Sequence, residues 1–213
     1  DIVLVGIDQR ALEEIGPYDQ WGRDVMARVL EALNQSEDCR PAVIGLDVLY
    51  TGETDPELDA WLAEAAGEYG NVVTACAAGF GSELVPDGAG DYALNAEAVV
   101  AFEDAYPGLR AATGRAHINA MMDTDGILRH HMLTLRLPDG EEIPSLALEA
   151  ARRYRAYWGE EPIELPRVNG RGFWYLPFSG LPGDIEERSV AEVLSGEVPA
   201  EYFAGQVVLI GPY

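Results

Sequence analysis

IVLVGID, the stretch Ile2–Asp8, is an unbroken apolar run that ends in an aspartate. Two further runs of this kind follow, PAVIGLD at Pro41–Asp47 and NVVTACAA at Asn71–Ala78. Runs without polar alternation are typical of strands that are buried on both faces of a sheet. Between them, residues 23–35 carry apolar side chains at helical spacing, and residues 55–70 open with an Asp-Pro pair and close with a glycine, as helices do. The first 80 residues therefore predict a β-α-β-α-β unit whose helical crossovers make the strands of the core sheet parallel.

The rest of the chain predicts a sheet that is mixed overall, with a hairpin and flanking helices. The stretch MLTLRLPDGEEI alternates on both sides of Asp139–Gly140, a hairpin-type turn. Residues 80–96 are rich in glycine and polar residues, so we expect a loop there, followed by a helix at Glu97–Tyr106. Because the first and last strands are both buried runs, they are candidates for neighbours in one sheet of this α/β fold. The other expected elements are a strand at Ala116–Met122, a long helix from Ser145, short strands between Glu160 and Gly183, a helix at Ser189–Pro199 and a final buried strand in GQVVLIG at residues 205–211.

The composition limits the number of domains and the kinds of partner. With 213 residues, 48% of them hydrophobic, the chain is long enough for one sizeable core, so residues 1–213 are expected to form a single domain. A formal net charge of -23 is repelled by nucleic acid and by anionic membrane surfaces, which leaves cationic ligands, divalent metals and basic proteins open. No lysine occurs, which excludes lysine-based chemistry. Two cysteines, Cys39 and Cys76, are too few for a disulfide scaffold, and free thiols are favoured over a bridge between them.

Two aspartates, Asp8 and Asp47, each follow a predicted buried strand. In a parallel sheet the carboxyl ends of the strands share one edge, where ligands commonly bind. Two carboxylates close together would raise the pKa of one of them or attract a divalent cation. The alternative is that each aspartate caps the turn or helix after its strand. The sequence leaves both interpretations open.

The stretch DTDG begins at Asp123 and resembles the start of a calcium loop. An EF-hand loop needs a glutamate at its twelfth position, but counting from Asp123 that position is Thr134. We therefore predict a tight turn with Gly126 at a positive φ. In such a turn Asp123 or Asp125 is expected to pair with Arg129.

No catalytic or zinc-binding set can be assembled from the sequence. His130 and His131 are adjacent, so on a strand they point to opposite faces and do not easily bind one metal, and His117 is the only other histidine. FGSEL lacks the second glycine of a nucleophile elbow, and PDGAGD at Pro86–Asp91 lacks the lysine and the strand-to-helix setting of a phosphate loop. FWYLPFSG, residues 173–180, contains four aromatic residues. We expect most of them in the core and at a strand edge, in preference to the alternative of an aromatic pocket for a cationic ligand. These absences argue against an enzyme.

The order and spacing of several motifs resemble the CHASE-type extracellular sensory domains of the second type. The family's usual Trp-Pro-Trp-x-Arg form is altered here, because Asp19-Gln20-Trp21-Gly22-Arg23 stands in its place. The matching stretches are VGIDQRALEEIG, YDQWGRDVMARVLEAL, PAVIGLDVLY, DPELDAWLAEA, GRAHINAMMDTDGILRHHMLTL, EEIPSLALEAA, FSG and SVAEVLSGEVPAEYFAGQVVLIG. The positions that match the motifs are Asp8, Trp21, Arg23, Asp47, Asp59, Asn119, Asp123, Asp125, Gly126 and Arg129.

The resemblance implies an extracytoplasmic sensor domain, periplasmic or extracellular, of a membrane-anchored receptor. Its output domain would be an adenylate cyclase, a histidine kinase or a diguanylate cyclase, and membrane contact is expected only through segments outside these residues, since no stretch here reaches spanning length. The signal would be a small molecule or a protein, and the full-length receptor is a candidate homodimer. No cofactor is implied, and a divalent cation is left open. The matched residues other than Gly126 are the candidate ligand site, which is either a binding crevice or a structural network of charges.

Three functions follow from the sequence, in decreasing order of support. The first is a ligand-sensing or signal-relaying module without catalysis of its own. The second is a protein-interaction or dimerisation module that has no small-molecule ligand. The third is a hydrolase whose acids are Asp8 and Asp47.

Overall fold

The structure is a computed structural model that describes residues 1–86, 88, 90–178, 180–181 and 183–212, with Ala96 described by its backbone. Its strands are β1 (Ile2–Gly6), β2 (Val43–Leu46), β3 (Val72–Pro86), β4 (Tyr92–Glu103), β5 (Gly114–His117), β6 (Met121–Met122), β7 (Leu128–Met132), β8 (Thr134–Arg136), β9 (Glu142–Pro144), β10 (Phe173–Tyr175), β11 (Glu186–Ser189) and β12 (Val207–Gly211). Its α-helices are α1 (Gln9–Ile15), α2 (Arg23–Leu33), α3 (Pro56–Gly67), α4 (Pro107–Ala112), α5 (Leu146–Tyr157) and α6 (Val190–Ser195).

The main sheet has parallel strands in the order β11-β1-β12-β2-β3, and β5 pairs with the far side of β3. The last strand of the chain lies between β1 and β2, with Ile2 opposite Val207 and Gly6 opposite Gly211. The predicted parallel core is therefore confirmed, and the first and last strands are neighbours. Because these two strands are parallel, β1 begins at one end of the strands and β12 finishes at the opposite end.

Two cores cover the two faces of the main sheet. Val5 and Leu46 belong to the larger core, which α1, α2, α3, α4 and α6 complete. Val43 and Val207 belong to a smaller core on the other face, where α5 contributes Ala150. Since both faces are covered, β1, β2 and β12 are apolar along their whole length, which is the pattern seen in the sequence.

The predicted helices begin at the expected caps. Asp55 caps α3, Ser145 caps α5, and Ser189 opens α6 with a capping box. α6 is shorter than the predicted helix at Ser189–Pro199, because Gly196 takes the left-handed conformation and ends it.

An antiparallel hairpin extends from the main sheet, because β3 continues past its parallel partners and pairs with β4. The predicted loop at residues 80–96 and the predicted helix at Glu97–Tyr106 are therefore wrong, since these two strands occupy most of both segments. The local sequence is rich in Gly, Ala and Glu, which strands disfavour, so pairing with β3 overrode local preference. Asp87 and Ala89, within the predicted loop PDGAGD, lie outside the described residues.

Two smaller antiparallel units complete the fold. β10, β7 and β6 form the first, and β8 and β9 form a hairpin around Asp139–Gly140, as predicted. The single strand expected at Ala116–Met122 is wrong, because the segment is divided between β5 in the main sheet and β6 in the small one. Of the short strands expected at residues 160–183, the described part of the segment forms β10 alone, and Ser179 and Pro182 lie outside it. β11 was not predicted, because its sequence EERS is polar, as edge strands often are.

Candidate functional site

Asp8 is the N-cap of α1. Its carboxylate accepts hydrogen bonds from the backbone N–H of Ala11 at 2.8 Å and from the hydroxyl of Ser189 at 2.7 Å. Ser189 is the N-cap of α6, so a single carboxylate joins the starts of two helices at the end of β1. These contacts match the capping interpretation of Asp8.

Asp47 lies at the same edge of the sheet, but β12 separates β2 from β1. Two strand spacings place Asp8 and Asp47 about 10 Å apart. The end of β12 fills the space between, since a Cβ built on Gly211 would lie 3.1 Å from the Cβ of Asp47. Desolvation raises the pKa of the Asp47 carboxyl above its ordinary value. The two aspartates share an edge, as predicted, but they do not form the close pair that a shared cation or a hydrolytic dyad needs.

Asp123, Asp125 and Arg129 form an exposed network at the turn between β6 and β7. Arg129 donates to Asp123 at 2.8 Å and to Asp125 at 2.9 Å, so it pairs with both of the aspartates that were predicted as alternatives, and it lowers the pKa of Asp125. Gly126 has a φ of 78°, and its N–H donates to the Asp123 carbonyl at 2.9 Å, which confirms the predicted turn. Among the described residues, no hydrogen bond or ion pair joins this turn to Asp8 or Asp47, so the matched residues of the turn do not form one crevice with these two aspartates.

Asn119 joins the main sheet to the small sheet. Its amide donates to the carbonyl of Ala78 at 2.6 Å and accepts from the backbone N–H of Ala78 at 2.9 Å. The side chain thereby replaces the backbone pairing that β3 loses where β5 ends. This pair of hydrogen bonds gives Asn119 a role in the fold that requires no ligand.

Arg23 and Asp59 form a buried ion pair between the start of α2 and the first turns of α3. The charged atoms are 2.5 Å apart, and the side chains are 8% and 7% exposed. Arg23 also donates to the Gly52 carbonyl at 2.5 Å, and Asp59 accepts from the N–H and hydroxyl of Thr54 at 2.9 and 3.1 Å. The guanidinium lies over the ring of Tyr106, 4.0 Å from its centroid. With these partners the pair holds the loop after β2 against both helices.

A cavity of about 440 Å³ opens beside this pair, a size typical of small-molecule sites. Tyr18, Trp21 and Tyr50 line it together with Arg23. The indole of Trp21 donates to the carbonyl of Gly16 at 2.7 Å, and the ring of Tyr18 meets it edge-on with centroids 5.3 Å apart. Burial raises the pKa of Tyr50 far above its ordinary value, so its hydroxyl stays protonated.

The structure brings together three of the predicted site residues, Trp21, Arg23 and Asp59, and leaves the other candidates at separate places. Tyr50 and Tyr106 were not among the predicted site residues, although their rings lie against the guanidinium of Arg23. Tyr50 closes the motif PAVIGLDVLY, which is the one signal that could have pointed to it. Tyr106 carries no local signal, because its contact with α2 crosses more than eighty residues of chain.

A buried histidine pair lies outside the candidate site. His117 is fully buried and stacks on His131. Among the described residues, neither ring nitrogen of His117 has a hydrogen-bond partner. Burial lowers the pKa of His117 to about 4, and His131 acts in the same direction. His130 packs on β10 from the other side of β7, as predicted for adjacent strand residues. Cys76, opposite His117 on β3, and Cys39 are both free thiols.

The fold and the site define a mixed α/β domain whose charged side chains bind one another beside an open cavity. The sequence model of the family described as CHASE2 domain matches residues 1–213, so the chain belongs to the CHASE2 domain family. CHASE2 is a family of sensory domains of extracytoplasmic receptors, and these domains are not catalytic. No curated protein and no solved structure matches the chain. In the part of the chain that the structure describes, none of the helices has the length and apolar character that a membrane span needs.

Proposed function

We propose that this domain senses a small molecule in the cavity beside Arg23 and relays its presence to the first and last strands. One observation carries the proposal. The cavity wall with Trp21 is hydrogen-bonded to the end of the helix that follows β1, and the wall with Tyr50 belongs to the loop that is hydrogen-bonded to β12. A ligand can shift a domain between two states only if it binds them with different affinity. A cavity whose walls connect separately to β1 and β12 has the geometry for such a difference.

The wall that contains Trp21 connects to β1. α1 begins directly after Asp8 at the end of this strand and spans seven residues. The helix ends at Gly16, whose carbonyl accepts the hydrogen bond of the Trp21 indole at 2.7 Å. A shift of Trp21 would therefore be transmitted through one short helix to the first strand.

The wall that contains Tyr50 connects to β12. The backbone N–H of Asp47 donates to the carbonyl of Ile210 at 2.8 Å, and Gly211 packs against Asp47. Tyr50 follows three residues after Asp47, and Gly52, which Arg23 holds, comes two residues later. A change in this loop would therefore reach the last strand.

By the same proposal the domain belongs to a membrane-anchored receptor and lies in the periplasm or outside the cell. Its output domain would be an adenylate cyclase, a histidine kinase or a diguanylate cyclase, and the receptor would work as a homodimer. The start of β1 and the end of β12 lie at opposite ends of the strands, about 13 Å apart along the strand direction. Relative movement of β1 and β12 would then reposition both connections to the rest of the receptor.

The first test fills the cavity. Leu58 lies in the first turn of α3 and lines the cavity, and its side chain takes no part in the hydrogen bonds of Arg23 and Asp59. We expect Leu58→Trp to abolish any thermal shift that the purified chain shows with a panel of divalent cations, amino acids and polyamines. Leu84→Trp is the matched control, because Leu84 is 64% exposed on the β3–β4 hairpin. If no compound shifts the unfolding temperature, or if Leu58→Trp keeps every shift, the cavity is not the sensing site.

The second test uses the full-length receptor and its output activity. We expect Leu58→Trp to make this activity independent of any compound that stabilises the wild-type chain, and Leu84→Trp to keep the response. A response that survives Leu58→Trp contradicts the proposal. Asp8→Asn and Asp47→Asn, which alter the connections to β1 and β12, are expected to change the size of the response.

A protein-interaction or dimerisation module is the second candidate function. Three large apolar side chains on β10 and just after it are exposed: Tyr175 at 65%, Phe178 at 74% and Leu181 at 76%. Exposed apolar surface of this kind is common where proteins associate. Sedimentation of the chain tests the idea, and a strict monomer without a partner in pull-down experiments speaks against it.

A further inference from the structure

The cavity beside Arg23 has more negative than positive charge. Tyrosines aside, its ionisable lining side chains are Asp19, Arg23 and Asp55. Arg23 is neutralised by Asp59 at 2.5 Å. Among the described residues, no basic side chain lies within ion-pair distance of Asp19 or Asp55. Within that part of the chain, the two carboxylates at the cavity have no cationic partner, and that of Asp55 accepts hydrogen bonds from the backbone N–H groups of Glu57 and Leu58 at the start of α3.

Aromatic rings form much of the remaining wall. The ring planes of Tyr18 and Trp21 are inclined at 68°, so they make a corner with two differently oriented faces. The indole N–H of Trp21 is bonded to the Gly16 carbonyl, so this residue offers a ring face to a ligand and not a donor. Tyr50 provides a third ring, and its centroid lies 5.9 Å from the guanidinium carbon of Arg23, whose charge Asp59 neutralises. Aromatic faces attract a cation that lies within about 6 Å of the ring centroid, most strongly where water is excluded.

We propose that this cavity binds a small organic cation whose alkylammonium head lies against Tyr18, Trp21 and Tyr50, with Asp19 and Asp55 beside it. This inference rests on the proposed function, because it names the ligand class of the same cavity. The net charge of -23 adds a long-range attraction that raises the local concentration of cations.

The other charge classes of ligand fit less well. An anion would need a free guanidinium, but Arg23 already binds Asp59 and Gly52 and stacks on Tyr106. A bare divalent cation needs several oxygen ligands around one point. Within the described residues, no group of three or more His, Cys, Asp or Glu side chains is placed to hold a metal ion. Aromatic rings with two separate carboxylates are better suited to an organic cation, whose positive charge is spread over several atoms.

Calorimetric titration of the purified chain with choline and with its uncharged isostere 3,3-dimethylbutan-1-ol tests the charge directly. The two molecules have nearly the same shape, so we expect the alcohol to bind about tenfold more weakly or worse. The affinity for choline is expected to fall as salt is added, because exposed carboxylates are screened. Equal binding of the alcohol, or no binding of choline and of tetramethylammonium, would overturn the proposal.

Two variants test the residues. Asp19→Asn removes an exposed charge, and Tyr50→Leu removes a ring; each is expected to weaken choline binding about tenfold. Asp38→Asn is the matched control, an exposed aspartate in another short 3-10 turn, and is expected to bind choline as the wild-type chain does. Wild-type affinity in Asp19→Asn, which alters an exposed loop residue and leaves the core intact, contradicts the proposal even if Tyr50→Leu fails to fold.

The two proposals fail in different ways. If the receptor loses its response to a ligand in Leu58→Trp while choline and tetramethylammonium never bind the chain, the sensing function stands and the ligand class is wrong. If choline binds the wild-type chain but the receptor responds normally in Leu58→Trp, the cavity binds a cation and does not carry the signal.

Discussion

Asp59 binds the guanidinium of Arg23 across 36 residues of chain, and each side chain is less than a tenth exposed. Asp59→Asn leaves the positive charge of Arg23 buried without its counter-charge. Loss of one partner of a buried ion pair costs about 3–5 kcal/mol, so we expect the free energy of unfolding in urea to fall by that amount. The double variant Arg23→Met, Asp59→Leu removes both charges and is expected to cost less than Asp59→Asn alone. A loss below about 1 kcal/mol in Asp59→Asn would show that the pair contributes little.

Two substitutions of Asp8 distinguish the contribution of its capping hydrogen bonds to stability from that of its negative charge. Asp8→Ala removes the acceptor for the N–H of Ala11 and the hydroxyl of Ser189, and should lower stability by about 1–2 kcal/mol. Asp8→Asn keeps an oxygen at the same place and is expected to cost less than about 0.5 kcal/mol, since asparagine is an equally good N-cap. Thermal or urea unfolding of the two variants measures the difference. An equal loss in both would mean that the negative charge itself matters.

His117 makes stability depend on pH. Its pKa is about 4 in the folded chain and near 6.5 when exposed, because burial and His131 both disfavour the proton. Between these values the unfolded chain binds a proton that the folded chain excludes. This contribution to stability is therefore complete above about pH 6.5 and is lost progressively as the pH falls towards 4, by an amount on the order of 3 kcal/mol.

Unfolding in urea across this pH range tests the effect. We expect His117→Phe to flatten the decline between pH 7 and pH 4 relative to the wild-type chain, because the titrating group is gone. The residual slope reports the other groups, among them His131, whose pKa is also lowered by burial. An unchanged slope in His117→Phe would contradict the assignment.

Gly126 holds the turn between β6 and β7 at a φ of 78°. Gly126→Ala puts a Cβ on a left-handed backbone and is expected to cost about 1 kcal/mol, measured by thermal unfolding. Gly170→Ala is the control, because Gly170 has no positive φ and nothing lies within 4 Å of an added Cβ. Equal effects of the two substitutions would mean that the turn does not constrain the backbone.

The parallel core was predictable because its signal is local. Both faces of the sheet are covered at the strands Ile2–Gly6 and Val43–Leu46. Each of these strands therefore appears in the sequence as a run without polar residues. Glu186–Ser189 and Tyr92–Glu103 were missed because their strand conformation comes from a partner elsewhere in the chain. Single-strand patterns carry no information about such a partner.

The site was predictable only in part. Arg23 and Asp59 were identified by resemblance to a family, since nothing in their spacing shows that they meet. The ring of Tyr106 and the carbonyl of Gly52, which complete the environment of Arg23, depend on how α2, α3 and the loop after β2 pack. The suggested pairing of Asp8 with Asp47 failed because the last strand was inserted between theirs, an outcome that strand order alone decides.

That insertion also sets when the domain can finish folding. Of the described strands, β12 comes last along the chain, yet it fills the centre of the sheet between β1 and β2. Until residues 207–211 have left the ribosome, Ile2–Gly6 and Val43–Leu46 expose the backbone groups and apolar side chains that β12 will cover. Such long-range closure is slow compared with local pairing. The centre of the sheet is therefore completed only after nearly all of the residues from β1 to β12 have been synthesised.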